Sequence, residues 1–293
     1  MPAARLAAWQ SPATLAVESH GRWITWWRAD PAPARWSAAD RSVMGAIRWR
    51  AGAPGVTWGT LRISGPGEAW RVGVVLVRFD PRVVRLELAD GVDSAFGKRW
   101  TIDSAPPDAI AAVNAGQFEV GGPWGWVVQD SIERSIPGGG PLAATLVQER
   151  PGELRFVPAD SLVAVRRQGV RLALQSFPLV LWHDGEVHPY IREPGHPIDL
   201  DHRDARLGLG QLRDGTWLIA LTRFEGLDGA LDALPFGLTT PEMAALLGAL
   251  GCREAVLLDG GVSGQLMVRD AAGVVHAWHG LRKVPLGLVI LPR

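Results

Sequence analysis

A single cysteine, Cys252, stands in a chain of 293 residues. No internal disulfide framework can form, and the redox compartment is not legible from cysteine usage. A lone thiol beside a helix end reads as core filler rather than as a nucleophile. Lysine is nearly absent, occurring only at Lys98 and Lys283, so the basic side chains are almost all arginine. Arginine number by itself therefore marks no anion site. Excess charge of either sign is absent too: 30 acidic and 30 basic side chains give a net charge of zero and a pI near 7.1. That balance argues against nucleic acid or a charged membrane surface as partner. Long apolar runs are lacking; Val72-Gly-Val-Val-Leu-Val77 is strand-sized, and Met1-Pro-Ala-Ala-Arg-Leu6 opens no secretory apolar segment. The expectation is a soluble chain without a membrane span or export signal. No Gly-x-x-x-x-Gly-Lys-Ser/Thr occurs, and Gly208-Leu-Gly210 lacks the third glycine and following helix of a dinucleotide loop. Nucleotide cofactors have no support, and no repeat of 20–50 residues is evident.

What is present is a large apolar fraction, 47%, with charged residues at 20%, enough for one large core or two modest ones. Residues 1–50 carry Trp9, Trp23, Trp26, Trp27, Trp36 and Trp49 among Pro, Ala and Arg, with no helical or alternating period. This is an N-terminal segment of uncertain structure whose tryptophans either pack on the main body or offer platforms to sugar rings. A boundary is expected at Ala51-Gly-Ala-Pro-Gly55, leaving 51–293 as the main domain. There, Val56 to Ile63, Trp70 to Phe79 and Val83 to Leu88 alternate or run apolar between turn residues, reading as three successive strands. Further strands are expected at 110–114, 124–129, 142–147, 171–175, 179–182, 206–212, 217–223, 255–258, 265–268 and 284–290. The fold class is α+β, a mixed and largely antiparallel sheet core with few helices.

One helix is well signalled. Thr239 and Glu242 have capping-box spacing, Pro241 suits the first turn, Met243, Leu246, Leu247 and Leu250 share a face, and Gly251 ends it. It feeds a strand that ends at Asp259, where a loop residue at a sheet rim can face a ligand. In Asp259-Gly-Gly-Val-Ser-Gly264, Gly260 and Gly261 free the backbone and Ser263 adds a donor near the carboxylate. By itself the stretch is equally an Asp-Gly hairpin turn. Gly261-Val-Ser-Gly264 is not a nucleophile elbow, because the spacing is one residue short and a strand follows. His196, Asp199, Asp201, His202 and Asp204 crowd nine residues; their spacing matches neither zinc nor an EF-hand, so a solvated loop is expected, with calcium possible. No cofactor is required by the sequence.

Four ordered stretches give Asp259 company. Ala112-Val-Asn-Ala-Gly-Gln-Phe118, followed by Glu119 and Pro123-Trp-Gly125, resembles an Asn-Gly-Gly-Phe-Phe segment, with Ala115 and Gln117 differing. Leu174-Gln-Ser-Phe-Pro178, with Asp184-Gly185 and His188-Pro189, resembles Gln-Ser-Gly-Pro, Asp-Gly and His-Pro, with Phe177 in place of glycine. Asp204-Ala-Arg-Leu-Gly-Leu-Gly210 resembles an Arg-Thr-Ala-x-Gly strand, and Val256-Leu-Leu-Asp-Gly-Gly261 resembles Asn-Leu-Asp-Gly-Gly-Gly-Ser-Ser, with Val262 and Gly264 differing. Together they resemble the phosphodiester glycosidase domain family, from about Gly55 to the Arg282-Lys-Val284 strand.

That resemblance implies a hydrolase of a glycosyl phosphodiester or related linkage in a cell-surface or exopolysaccharide glycan, whose partner is a carbohydrate or glycosyl-phosphate substrate. Family members are often exported. The resemblance makes Asp259 the leading catalytic carboxylate, with Glu119 as a candidate second one and His188 as a hydrogen-bond donor to the phosphate or general acid. Arg206 and Arg282 would bind phosphate, while Asn114, Gly116, Gln175, Gly260, Gly261 and Ser263 would line the substrate. The alternative is a glycan-binding module on the same fold without turnover.

Overall fold

The computed structural model describes residues 13–91, 99–120, 122–193, 195–196, 199–225 and 236–293. Trp9 lies outside them. Every strand pairing among these residues is antiparallel, and the strands form three large sheets and one two-stranded ladder. The largest has ten strands. From one edge it runs Glu186–Val187, Leu179–Trp182, Cys252–Leu258, Leu207–Leu212, Trp217–Phe224, Val72–Phe79, Val56–Ser64, Thr14–Ser19 and Arg22–Arg28, with Arg48–Ala51 also paired to Val56–Ser64. One five-stranded sheet is ordered Ile132–Ser135, Val127–Gln129, Leu172–Ser176, Ala144–Gln148 and Leu154–Pro158. The other is ordered Val275–Trp278, Leu266–Arg269, Ala111–Asn114, Leu286–Pro292 and Val84–Asp90. Phe118–Glu119 and Gly122–Pro123 form the small ladder.

The apolar run of Val72–Phe79 follows from its place in this arrangement. Successive side chains of a strand point to opposite faces. Val72, Val74 and Leu76 enter a core shared with the Thr240–Ala249 helix, while Val75, Val77 and Phe79 enter a second core shared with both five-stranded sheets. Cys252–Leu258 repeats the pattern, with Ala255 and Leu257 on the helix side and Val256 and Leu258 on the other. Each such buried Val or Leu contributes about 1.5–3 kcal/mol of hydrophobic stabilisation. Cys252 is wholly buried, which pushes its thiol up to about 12; it is packing, as its isolation suggested.

The expected helix is present as Thr240–Ala249, with Thr239 and Glu242 closing both halves of the capping box. Glu242 is also held bidentately by Arg203, at 2.6 and 2.8 Å, with only 3% of its side chain exposed. Short helices at Arg41–Ala46, Leu162–Gln168 and Pro189–Arg192 carried no comparable signal.

Two readings change in the folded chain. Within the Trp-rich segment, Thr14–Ser19, Arg22–Arg28 and Arg48–Ala51 extend the large sheet, and Ala51 to Gly55 is the connection of an antiparallel hairpin. Trp27 and Trp36 are buried against the helix side of the sheet, whereas Trp23 and Trp49 are exposed. Strands whose partners lie beyond their neighbours in sequence leave no short period to read. The third of the three successive strands, Val84–Asp90, does not follow Val72–Phe79 into its sheet but pairs with Leu286–Pro292, about 200 residues away by sequence number. No helix among the described residues is long and apolar enough to cross a membrane.

Candidate active site

Three strand ends from two sheets meet at one rim. Leu207 pairs with Leu258, so Arg206 and Asp204 precede their strand just where Asp259 follows its own. Asn114 ends a strand of the neighbouring sheet, and the carbonyl of the next residue, Ala115, accepts from the Asp259 amide at 3.2 Å. The Leu286–Pro292 strand pairs with the same Ala111–Asn114 strand, so the residues leading into it, Arg282 among them, arrive at this rim as well. The Val262 carbonyl accepts from the amides of Leu281 and Arg282 at 2.7 and 3.1 Å, fastening that approach to the Asp259 loop.

The loop after Asp259 needs its glycines. A Cβ at Gly260 would sit 2.5 Å from the Ala205 carbonyl oxygen, and one at Gly261, whose φ is +60°, would sit 2.7 Å from an Asp204 carboxylate oxygen. The Gly261 amide donates to the Ala205 carbonyl at 2.6 Å. Two glycines therefore let the chain cross directly over Ala205, and this crossing lays Asp204 beside the Asp259 turn.

Burial pushes the Asp259 carboxyl from an ordinary 3.8 up to about 6; the neighbouring Asp204 charge adds to the rise, while the Ser263 hydroxyl and Arg282 oppose it. Among the described residues, Oδ2 of Asp259 is buried with no hydrogen-bond partner. Asp204 is also raised, mainly by burial, against the pull of Arg206, the Ala205 amide and His202. Two adjacent carboxylates with elevated proton affinity are the arrangement that acid and base work requires.

The remaining expected residues divide into groups. Asn114 is fully buried, with Nδ2 donating to the Asp259 carbonyl and Oδ1 accepting from the Gln265 amide at 2.9 Å. It fixes the loop, and its complete burial keeps its side chain from solvent. Arg206 donates from Nε to the Leu238 carbonyl at 3.0 Å and from Nη2 to the His202 carbonyl at 2.6 Å, and burial lowers its proton affinity. It braces the loop that holds Asp204. Arg282 is exposed, with its guanidinium 4.7 Å from the Phe118 ring centroid. Gly116 packs against Gln175, since a Cβ there would lie 2.8 Å from the Gln175 carbonyl. The buried Gln175 side chain accepts from the Trp126 and Gly138 amides, both at 2.8 Å, and donates to the Gly138 carbonyl at 3.2 Å.

Glu119 and His188 are not drawn to Asp259 by any described contact. Glu119 is exposed on the small ladder beside Gly122. His188 caps the Pro189–Arg192 helix through Nδ1 on the sheet edge, against Trp182 and Tyr190, and burial lowers its proton affinity. In the His196–Asp204 cluster, Asp199 Oδ1 accepts from the Asp201 and His202 amides, both at 3.0 Å, which is a loop-capping arrangement. No group of three or more His, Cys, Asp or Glu side chains suited to a metal occurs among the described residues. Asp204 is the functional candidate that sequence reasoning passed over. Its signal was available, two residues before Arg206 in a matched motif, but the dense charge around it read as a solvated turn.

Residues 107–291 match the phosphodiester glycosidase family. The chain belongs to that family. The fold agrees: the zebrafish N-acetylglucosamine-1-phosphodiester alpha-N-acetylglucosaminidase catalytic domain, auto-inhibited by its pro-peptide, superposes with a TM-score of 0.63 at 16% identity, covering 85% of this chain and 89% of that one. A hypothetical protein from Synechocystis superposes with a TM-score of 0.60 at 15% identity, covering 96% of this chain and 68% of that one. At such identities the likeness speaks for the fold. No curated protein sequence matches the chain. The matched span of the family contains Asn114, Asp204, Arg206, Asp259 and Arg282, the residues that build the rim.

Proposed function

We propose that this phosphodiester glycosidase family member hydrolyses a glycosyl phosphodiester of a cell-surface or exopolysaccharide glycan, with Asp259 and Asp204 as its two working carboxylates. The observation that carries this reading is the placement of Asp204 against Gly261, beside a half-buried Asp259 whose buried Oδ2 has no partner among the described residues. Cleaving the bond between the anomeric carbon and the phosphate oxygen develops positive charge on the sugar and negative charge on the departing phosphomonoester. The Asp259 carboxylate stabilises or attacks the anomeric carbon, and Ser263 steadies its charge. Asp204 gives or takes the proton that accompanies water addition, so sugar and phosphomonoester leave with atoms balanced. Arg282 replaces Arg206 as the phosphate ligand, because its exposed fork lies over Phe118 while that of Arg206 is engaged by carbonyls.

The test is turnover of a panel of anomeric methyl phosphodiesters of common pyranoses. Asp259→Asn is expected to lower kcat by about 10²- to 10⁴-fold, with Asp204→Asn in the same range. Unchanged turnover in Asp259→Asn would refute the assignment. Binding of the panel by the wild type with the diesters intact after long incubation would replace hydrolysis with glycan binding alone.

A further inference from the structure

An aromatic pair lies on the same rim and has no part in the charge arrangement above. Phe177 and Trp124 meet edge to face, with ring centroids 4.6 Å apart. Phe177 is 37% exposed. The pair is held in place by specific contacts. The Trp124 amide donates to the Gln117 carbonyl at 2.8 Å, and the Phe177 amide donates to Gln117 Oε1 at 3.3 Å. The same Oε1 and the Leu257 carbonyl share the single Ser176 hydroxyl proton. A Cβ at Gly138 would lie 2.5 Å from the Trp124 ring, so the indole rests directly on the glycine loop that buried Gln175 clamps at both its amide and its carbonyl.

Its position relative to Asp259 follows from backbone contacts. Leu257 is gripped on either side of Phe177: its amide donates to the Pro178 carbonyl at 3.0 Å and its carbonyl accepts from the Ser176 hydroxyl at 2.6 Å. Asp259 lies two strand residues further on, roughly 7 Å along the chain. Gln117 and Phe118 are consecutive: Phe118 stacks on Arg282, the residue given to the phosphate, while Gln117 holds Phe177 and Trp124.

The sequence departs from the family motif at two matching places. Gln117 stands where the motif has phenylalanine, and Phe177 stands where it has glycine. In this chain the two residues touch, the Phe177 amide donating to Gln117 Oε1.

Resting on the hydrolase reading, we propose that Phe177 and Trp124 form the wall that binds the sugar ring of the scissile bond, a pyranose stacking its C–H face on them with its anomeric carbon toward Asp259. An aromatic face suits the apolar side of a pyranose and offers nothing to a phosphate, which is why the wall and Arg282 divide the substrate between them.

The experiment pairs steady-state kinetics on the panel diesters with calorimetric binding of the corresponding sugar 1-phosphates. Wild type, Phe177→Gly, Phe177→Trp and Trp124→Ala are compared. Phe177→Gly is expected to raise KM about tenfold and to weaken sugar 1-phosphate binding by the same factor, with kcat within about twofold; Phe177→Trp restores both. Because Phe177 is partly exposed, the glycine variant should fold, and the tryptophan variant separates a missing ring from a disturbed loop. A wild type that turns over a diester whose KM is unmoved in Phe177→Gly overturns the wall and leaves the hydrolase reading standing. If no diester is turned over, the hydrolase reading fails and calorimetry decides: sugar 1-phosphate binding lost in Phe177→Gly supports the wall, and binding that is absent or unchanged overturns it.

Discussion

Replacing Asp259 by asparagine should lower turnover by about 10²- to 10⁴-fold and yet make the protein more stable at neutral pH. The folded protein holds the Asp259 proton to about pH 6, whereas an ordinary aspartate releases it near 3.8. At 1.36 kcal/mol for each tenfold change in proton affinity, the ionised folded state gives up about 3 kcal/mol relative to the unfolded chain. The penalty is absent below about pH 3, where both states are protonated. It grows as pH rises through 4 to 6, and it is complete above about pH 7. Asparagine removes the charge but places an amide N–H where Oδ2 has no partner among the described residues, at a cost of about 1–2 kcal/mol. The net expectation at pH 8 is a gain of about 1–2 kcal/mol, a rise in Tm of a few degrees. Denaturant unfolding of both proteins at pH 4, 6 and 8 checks this. The two curves should cross, with the variant the less stable near pH 4 and the more stable at pH 8. A variant less stable at pH 8, or a difference that does not change with pH, would show that Asp259 is not held against a burial penalty.

Three further outcomes follow from the same geometry. With Asp259 acting ionised, kcat/KM should fall about tenfold per pH unit below about pH 6, and Asp204→Asn should move that limb to lower pH by removing a neighbouring negative charge; pH–rate profiles of the two proteins decide it. Gly261→Ala forces a Cβ against the Asp204 carboxylate at positive φ, so thermal melts should show a loss of about 1–3 kcal/mol together with reduced kcat, and a neutral result would mean that the crossing over Ala205 is not as tight as described. Glu242→Gln leaves Arg203 without its buried partner and should cost about 3–5 kcal/mol by denaturation, whereas His188→Gln, out of contact with Asp259, should leave kcat within about threefold; a larger fall in kcat for His188→Gln would bring that histidine into the site.

Much of the architecture was readable because it rests on local periodicity. The runs at Val72–Phe79 and Trp217–Phe224 are apolar at every or nearly every position because each is covered on both faces. The Thr239–Glu242 capping box is a four-residue signal, and it closed as expected. Asp259 was legible as a site only in company with Asn114, Arg206 and the other ordered motifs. The strands of the first 50 residues were not legible, because their partners are set by sheet edges rather than by a repeat in their own sequence. His188 and Glu119 show the converse case. Their motif positions matched, but no contact in the fold carries their side chains to the rim.

The sequence by itself determined the antiparallel α+β character, the helix that precedes Asp259, and the loop where one carboxylate meets two glycines, since each depends on residues within a few positions of one another. Only the tertiary structure decided the division of labour. Asn114 and Arg206 turned inward to hydrogen-bond the loop, Arg282 stayed outside it, and Asp204, 57 positions earlier by sequence number, came to lie against Gly261. The physical reason is that strands of two different sheets end at a single rim, and a side chain's chemistry there depends on which backbone groups already claim its polar atoms.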